Sequence, residues 1–216
     1  VAVREGSSWK RFDTAKGLPS NLVNDLSLDL DKNVWASTSK GVVSFRGGSP
    51  KFLGDKEGPG NANVNCTYFD SGKNMWIGTV NDGVFVNLEG SWRNLTARQG
   101  LILNTADAIG QYSDNSIWAG SWAGVNRWDG QGFQSVNTKK SIGTYEIREI
   151  IPTRDLLWFF TANGIHAMRG SEWINYTDKE GLISNDVTCG LVISDDQVLA
   201  GTPYGMSLIE KGMVVN

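Results

Sequence analysis

The stretch GLPSNLVNDLSLDLDKNVWASTSKGVVSFRGG, residues 17–48, decides the fold. Its run VNDLSLD at 23–29 reads as the innermost strand of a repeated unit. The acidic turn DKN follows, then a second run containing Trp35 and Thr38. Gly41 opens a third run, GVVSF, and the Gly47–Gly48 turn leads to a fourth strand that carries Phe52. Hairpin turns need positive φ, which glycine adopts without strain. The stretch therefore reads as one four-stranded antiparallel unit.

The unit recurs along the chain. Trp35, Trp76, Trp118 and Trp158 each sit in a short apolar run, and Leu199 takes the fifth place, at spacings of 41, 42, 40 and 41. Gly41, Gly83, Gly124, Gly164 and Gly205 open the third strands. Trp9, Phe52, Trp92, Phe133 and Trp173 form an aromatic column, and GLPSN, GLILN and GLISN a turn column, degenerate as GPGNA at 58–62. Repeats of about 40–45 residues with four strands each are the pattern of a β-propeller. The expected fold is all-β, one domain over 1–216, with units near 9–51, 52–91, 92–132, 133–172 and 173–212. Closure is expected through the strand at 7–12, completing the last blade. Val1–Val3 and Met213–Val215 are left over as spare strands, and they fit part of a six- or seven-bladed ring as well.

Composition agrees. Glycine is 26 of 216 residues and tryptophan nine, against a usual glycine share of about 7%. The glycines make turns, and large rings fill the gap of about 10 Å between stacked sheets. A net charge of −3 without a basic run argues against nucleic acid, whose phosphates need clustered Lys and Arg. No apolar run is long enough to span a bilayer. A chain that opens at Val1 without a leader is expected to be a processed or excised piece.

The repeat resembles the two-component regulator propeller family: GL, N, V, an acidic turn, W, T, then G and an apolar strand. The resemblance covers the chain in five copies. Copy two has Pro59 in place of the GL leucine, and copy four is the most divergent, with KKSIGTYEIREI at 139–150. It implies a ligand-sensing, periplasmic or extracellular propeller, often one that responds to polysaccharide fragments. The shared residues are scaffold, so the motif says little about the ligand.

Catalytic raw material is thin. His166 is the single histidine, and no HExxH, CxxC, GxSxG or Walker motif occurs. No cofactor or metal site is expected. Aspartate pairs such as Asp29 with Asp31 and Asp195 with Asp196 read as turns. Cys66 and Cys189 occupy one repeat column in blades that are not neighbours, so free thiols are expected. A glycosidase would need two convergent carboxylates, with Asp25, Asp107, Glu146 and Glu149 near the inner strands as the acids available.

Function is expected where the repeats differ. Trp122, in GSWAG, fits no repeat column, and Tyr204 occupies a similar place in TPYG. The loops between second and third strands also hold Lys40, Asn81, Asp82 and Asn163. Aromatic rings beside amides and single charges suit a sugar, whose C–H face stacks while its hydroxyls bond. Each of these residues also has a plainer reading as a capping ring or a solvated turn. In copy four, Lys139, Lys140, Glu146, Arg148 and Glu149 stand where other copies are apolar or small. Asp25, Asp107, Arg148 and Glu149 are expected to line a channel. The leading reading is a non-catalytic module that binds a small molecule or an oligosaccharide. The alternatives are a protein–protein scaffold and a propeller glycosidase or lyase.

Overall fold

The computed structural model describes residues 1–136, 142–143, 146–194 and 196–215. Lys139, Lys140 and Asp195 lie outside the described residues. The chain is all-β and built from propeller blades. It divides into two compact units, Val1–Thr96 with Asn104–Ala106, and Ala97–Leu103 with Asp107–Asn216. No helix among the described residues is long and apolar enough to cross a membrane.

The first unit opens with a hairpin of β1 (Ala2–Glu5) and β2 (Ser8–Arg11). Blade one follows as β3 (Val23–Leu28), β4 (Val34–Thr38), β5 (Gly41–Ser44) and β6 (Lys51–Phe52). Blade two is β7 (Val64–Phe69), β8 (Met75–Thr79), β9 (Val84–Leu88) and β10 (Ser91–Leu95). Trp35 and Val42 of blade one pack against Val64, Met75 and Ile77 of blade two.

The second unit holds three blades. Blade three is β11 (Ala108–Gln111), β12 (Ile117–Ser121), β13 (Gly124–Trp128) and β14 (Phe133–Ser135). Blade four is β15 (Ile147–Pro152), β16 (Leu157–Thr161), β17 (Gly164–Arg169) and β18 (Glu172–Tyr176). Blade five is β19 (Cys189–Ser194), β20 (Gln197–Thr202), β21 (Gly205–Glu210) and β22 (Met213–Val215). Alternation along β16 sets the stacking. Leu157 and Phe159 face blade three with Trp118 and Val125. Trp158 and Phe160 face blade five with Val187, Val198 and Ala200.

One expectation is corrected. The strand near Trp9 does not complete the last blade. It pairs with β1, and Met213–Val215 supplies the outer strand of blade five. Val214 pairs with Ile209 as Trp173 pairs with Met168. A small apolar residue thus fills the aromatic column, which the search for rings passes over.

The repeat columns have physical reasons. In GLISN, Gly181 ends a one-turn 3-10 helix at φ +108°, Leu182 is buried, and the Asn185 amide bonds Asp178. In the first turns, Asp29 and Asp70 accept from the indole Nε1 of Trp35 and Trp76, at 3.1 and 2.8 Å. Asn33 and Asn74 join the same carboxylates. A buried indole N–H needs such a partner. Cys66 and Cys189 hold the same register place, opposite Gly78 and Gly201, and neither is in a disulfide.

Candidate functional site

The loops between second and third strands share one device. The last hydroxyl of the second strand bonds the carbonyl of the repeat glycine and accepts an N–H from inside the loop. Thr161 Oγ1 donates to Gly164 O at 3.0 Å and accepts from Asn163 N at 2.9 Å. Thr38 does the same with Gly41 and Lys40, and Thr202 with Gly205 and Tyr204. Ser121 serves Gly124 and Ala123, and Thr79 serves Gly83 and Asp82. Gly164 is required there. Its φ is +102°, and a Cβ would sit 2.4 Å from the Tyr176 carbonyl oxygen. Hydroxyl and main chain hold these turns; the Ser39 hydroxyl bonds that of Ser20, while Lys40, Asn81, Asp82, Trp122 and Tyr204 are exposed.

In the first unit, Lys40 and Asp82 stand directly before the repeat glycine of blades one and two, with Asn81 beside Asp82. Asp25 lies on the inner strand, and its carboxylate accepts from the main-chain N–H of Thr67 in blade two. Burial pushes its pKa up, against the N–H bonds from Thr67 and Leu26.

In the second unit, the Trp122 ring is 60% exposed and the Tyr204 ring is also open to solvent. They are not in equivalent places. Tyr204 directly precedes its repeat glycine, as Asn163 does, whereas Trp122 stands one residue earlier, as Pro203 does. The main-chain N–H of Ser39, Val80 and Ala162, at the Trp122 position, donates to a main-chain carbonyl. The Trp122 N–H instead donates to the Asp107 carboxylate. Burial and the nearby Glu146 charge push Asp107 up to about 6.

Arg148 gathers the carboxylates of this face. Its Nη1 donates to Asp186 Oδ1 at 2.6 Å and to Val187 O at 2.9 Å, and its Nη2 lies 3.2 Å from Glu146 Oε2. Trp122 is thus linked through its main-chain N–H to Asp107, Asp107 feels the charge of Glu146, and Glu146 shares Arg148 with Asp186. Asp186 escapes a reading of the sequence because nothing in its repeat position is unusual. Glu149 turns the other way and accepts the main-chain N–H of Gly190 at 2.8 Å.

The inner strands explain that division. Val23/Asp25, Val64/Cys66 and Ile147/Glu149 each flank a bulge. The bulged residue donates onward within its unit: Asn24 to Val64 O and Arg148 to Val187 O of the following blade, and Asn65 to Ala106 O. Glu149, not Arg148, thus shares the register column of Asp25, Cys66 and Cys189. A bulge shifts the count by one residue, which column alignment cannot detect.

The remaining expected chemistry is placed as follows. His166 is 1% exposed, with Nδ1 2.8 Å from Asn175 Oδ1. Burial pushes its pKa down, against the bonds to Asn175 and the Asn163 main chain. Among the described residues no group of His, Cys, Asp and Glu is arranged to hold a metal ion. At the opposite strand ends, a 590 Å³ groove opens between blades three and four, with Trp118, Trp173, Tyr112 and the Arg127–Asp114 pair in its walls. A 440 Å³ groove between Trp35 and Trp92 is its repeat equivalent in the first unit. The tryptophan columns are thus partly open at their rims.

The family model for the two component regulator propeller matches residues 57–81. That is the inner half of copy two, whose turn is degenerate but whose strands carry the full pattern. No curated protein sequence matches the chain. Among solved structures, the chain is similar to the extracellular domain of BT3049, assigned to a hybrid two component system of B. thetaiotaomicron. The TM-score is 0.79 at 23% identity, covering 96% of this chain and 29% of that one. The corresponding domain of BT4673 from the same organism gives 0.57 at 16% identity, covering 90% and 32%. An inactive variant of virginiamycin B lyase from Staphylococcus aureus, with quinupristin, gives 0.63 at 14%, covering 89% and 68%. These likenesses establish the propeller fold. The chain spans less than a third of either sensor domain.

Proposed function

We propose that this chain, which carries the two component regulator propeller repeat, is a non-catalytic ligand-binding module of an extracytoplasmic sensor. The observation that carries the reading is the exposed ring of Trp122, a residue whose main-chain N–H bonds Asp107, which feels the charge of Glu146 in the Glu146–Arg148–Asp186 set. An indole face takes the C–H side of a sugar, and carboxylates with a guanidinium take hydroxyls on both sides of the ring. An oligosaccharide is accordingly the ligand class. The burial of His166 supports a non-catalytic role, because general acid–base work needs a group within reach of substrate. The fold likeness to extracellular sensor domains supports the location.

Calorimetric titration with a panel of neutral and acidic oligosaccharides tests this. Binding to a panel member that weakens at least tenfold in Trp122→Ala is expected. No binding across the panel, or an affinity indifferent to Trp122→Ala, would overturn it.

A second reading, a protein-binding scaffold, is favoured by the exposed Leu191, Ile193 and Met206 of blade five. It expects a partner lost with Met206→Glu and kept with Trp122→Ala.

A further inference from the structure

Blade three departs from the repeat at the 590 Å³ groove in two places. The first is Tyr112, which holds the turn position of Asp29 and Asp70. Its main-chain N–H donates to Ser116 O, as theirs do to Asn33 O and Asn74 O. A ring therefore stands where blades one and two put the carboxylate that holds the indole. The Tyr112 hydroxyl crosses to the turns of blade four, accepting from Gly170 N at 2.7 Å and donating to Asp155 O at 3.3 Å. Ser116 Oγ takes over the Trp118 indole, at 2.9 Å. The second departure is Arg127. It pairs across the strands with Trp118, as Ser44 pairs with Trp35, Val86 with Trp76 and Ala167 with Trp158. Those three are buried, whereas Arg127 is exposed. A guanidinium is thus placed where other blades bury a small or apolar side chain.

The walls define a ligand chemistry. Tyr112 and Trp173 are half-buried and Met168 is buried, so the groove offers flat rings and a soft thioether. Its volume falls among those of small-molecule sites, about 300–1,000 Å³. Arg127 is the one cation in its lining. Its Nη2 lies 2.7 Å from Asp114 Oδ2, and Asp114 Oδ1 accepts from Ser116 N and Oγ, so that carboxylate is satisfied within its own blade. Arg148 of the same unit shows how much a guanidinium can hold, with Asp186 at 2.6 Å and Glu146 at 3.2 Å. Arg127 holds one carboxylate among the described residues, and its planar fork has donors for a second. The first unit repeats the combination by other means. There Lys56 and Lys73 line the groove of Trp35 and Trp92, although Ser44 fills the register place of Arg127.

We propose that the groove between Trp118 and Trp173 binds a small planar aromatic carboxylate, its ring against Trp173 and Tyr112 and its carboxylate on Arg127. A flat ring suits walls made of rings, which stack offset or edge to face. A carboxylate suits the guanidinium, whose N–H fork matches its two oxygens. The groove lies at the strand ends opposite the Trp122 loop, so this site and the oligosaccharide reading stand or fall separately.

Indole-3-acetate is the probe, beside indole-3-acetamide, which lacks the charge, and cyclohexylacetate, which lacks the flat ring. Each is titrated into the chain by calorimetry and by following the tryptophan indole N–H resonances. Indole-3-acetate is expected to bind saturably and to shift the Trp118 and Trp173 signals. The amide and the cyclohexyl acid should each bind about tenfold more weakly, the scale of one lost charged bond or stacked ring. Arg127→Gln should weaken indole-3-acetate about tenfold and leave the amide unchanged, with Arg127→Lys in between. Absence of saturable binding would overturn the proposal. So would equal affinity for acetate and amide in the unaltered chain, which needs no variant, or shifts that spare Trp173. An equal effect of Arg127→Gln on both compounds would overturn it too.

Discussion

The main-chain N–H of Gly190 donates to Glu149 Oε2 at 2.8 Å, so the inner strand of blade five hangs from a carboxylate of blade four. Asp25 makes the corresponding bond to Thr67 at 3.4 Å. Hydrogen bonds to charged groups are worth about 1.5–3 kcal/mol. Glu149→Leu is expected to lose an amount in that range by urea unfolding. Glu149→Gln, which keeps an acceptor oxygen, should lose less. Equal losses would mean that the bond contributes nothing specific.

Asp70 is the hub of a first turn, accepting from Trp76 Nε1 and from Asn74. Removing it strands a buried indole N–H, at about 1–3 kcal/mol. Asp70→Ala should therefore lower thermal stability far more than substitution at the exposed Asp31. The near-ultraviolet signal of Trp76 should broaden with it.

Two groups of the second unit give stability opposite pH slopes. Asp107 is raised to about 6 in the folded chain, so the folded state holds its proton longer. Its favourable contribution is present below the ordinary carboxylate range and fades as pH rises toward about 6. His166 is lowered by burial. Its neutral form favours folding, and that contribution is lost as pH falls below the ordinary imidazole range. Asp107→Asn should be more stable than the parent at pH 7 and show no such gain at pH 4. His166→Gln should flatten the acid side. Both are read from melting points across pH 4–8.

Asp29 adds a further acid-sensitive bond. Burial pushes its carboxyl up, but bonds from Asn33, Trp35 and Arg46 outweigh it and hold it well below the usual range. Its stabilisation is present above the ordinary carboxylate pKa and lost as pH falls below it. Asp29→Asn should remove that loss, measured as the difference in melting point between pH 7 and pH 3.

Gly164→Ala should be among the costliest small substitutions. The new Cβ would meet the Tyr176 carbonyl at 2.4 Å in a left-handed backbone, so steric and conformational penalties add. A loss above about 2 kcal/mol is expected. The exposed Gly170→Ala, whose Cβ meets nothing within 4 Å, should lose only the conformational part.

Much of the fold was legible because the repeat writes the same packing problem five times. Trp35, Trp118 and Trp158 mark the second strands because each ring packs against the next blade, and Trp76 is buried likewise. Gly41 and its equivalents mark the turns because only glycine fits them. What escaped were features without a side-chain signature. Val214 does the work of a ring in too small a form. The bulge before Glu149 lives in the backbone register. Of the candidate site, Trp122 was visible because no blade position explains it. Asp186 was not, because its meaning comes from Arg148, which reaches it across the fold.

The Thr–Gly turns carry a last consequence. Thr161 and Gly164 close their loop without using the side chains of Ala162 or Asn163. Such a loop can mutate freely while its frame stays fixed. Recognition can then diverge between relatives by single-codon changes that leave folding untouched. The same uncoupling makes positions 40, 81–82, 122–123, 162–163 and 203–204 natural places to randomise when new specificities are sought on this scaffold.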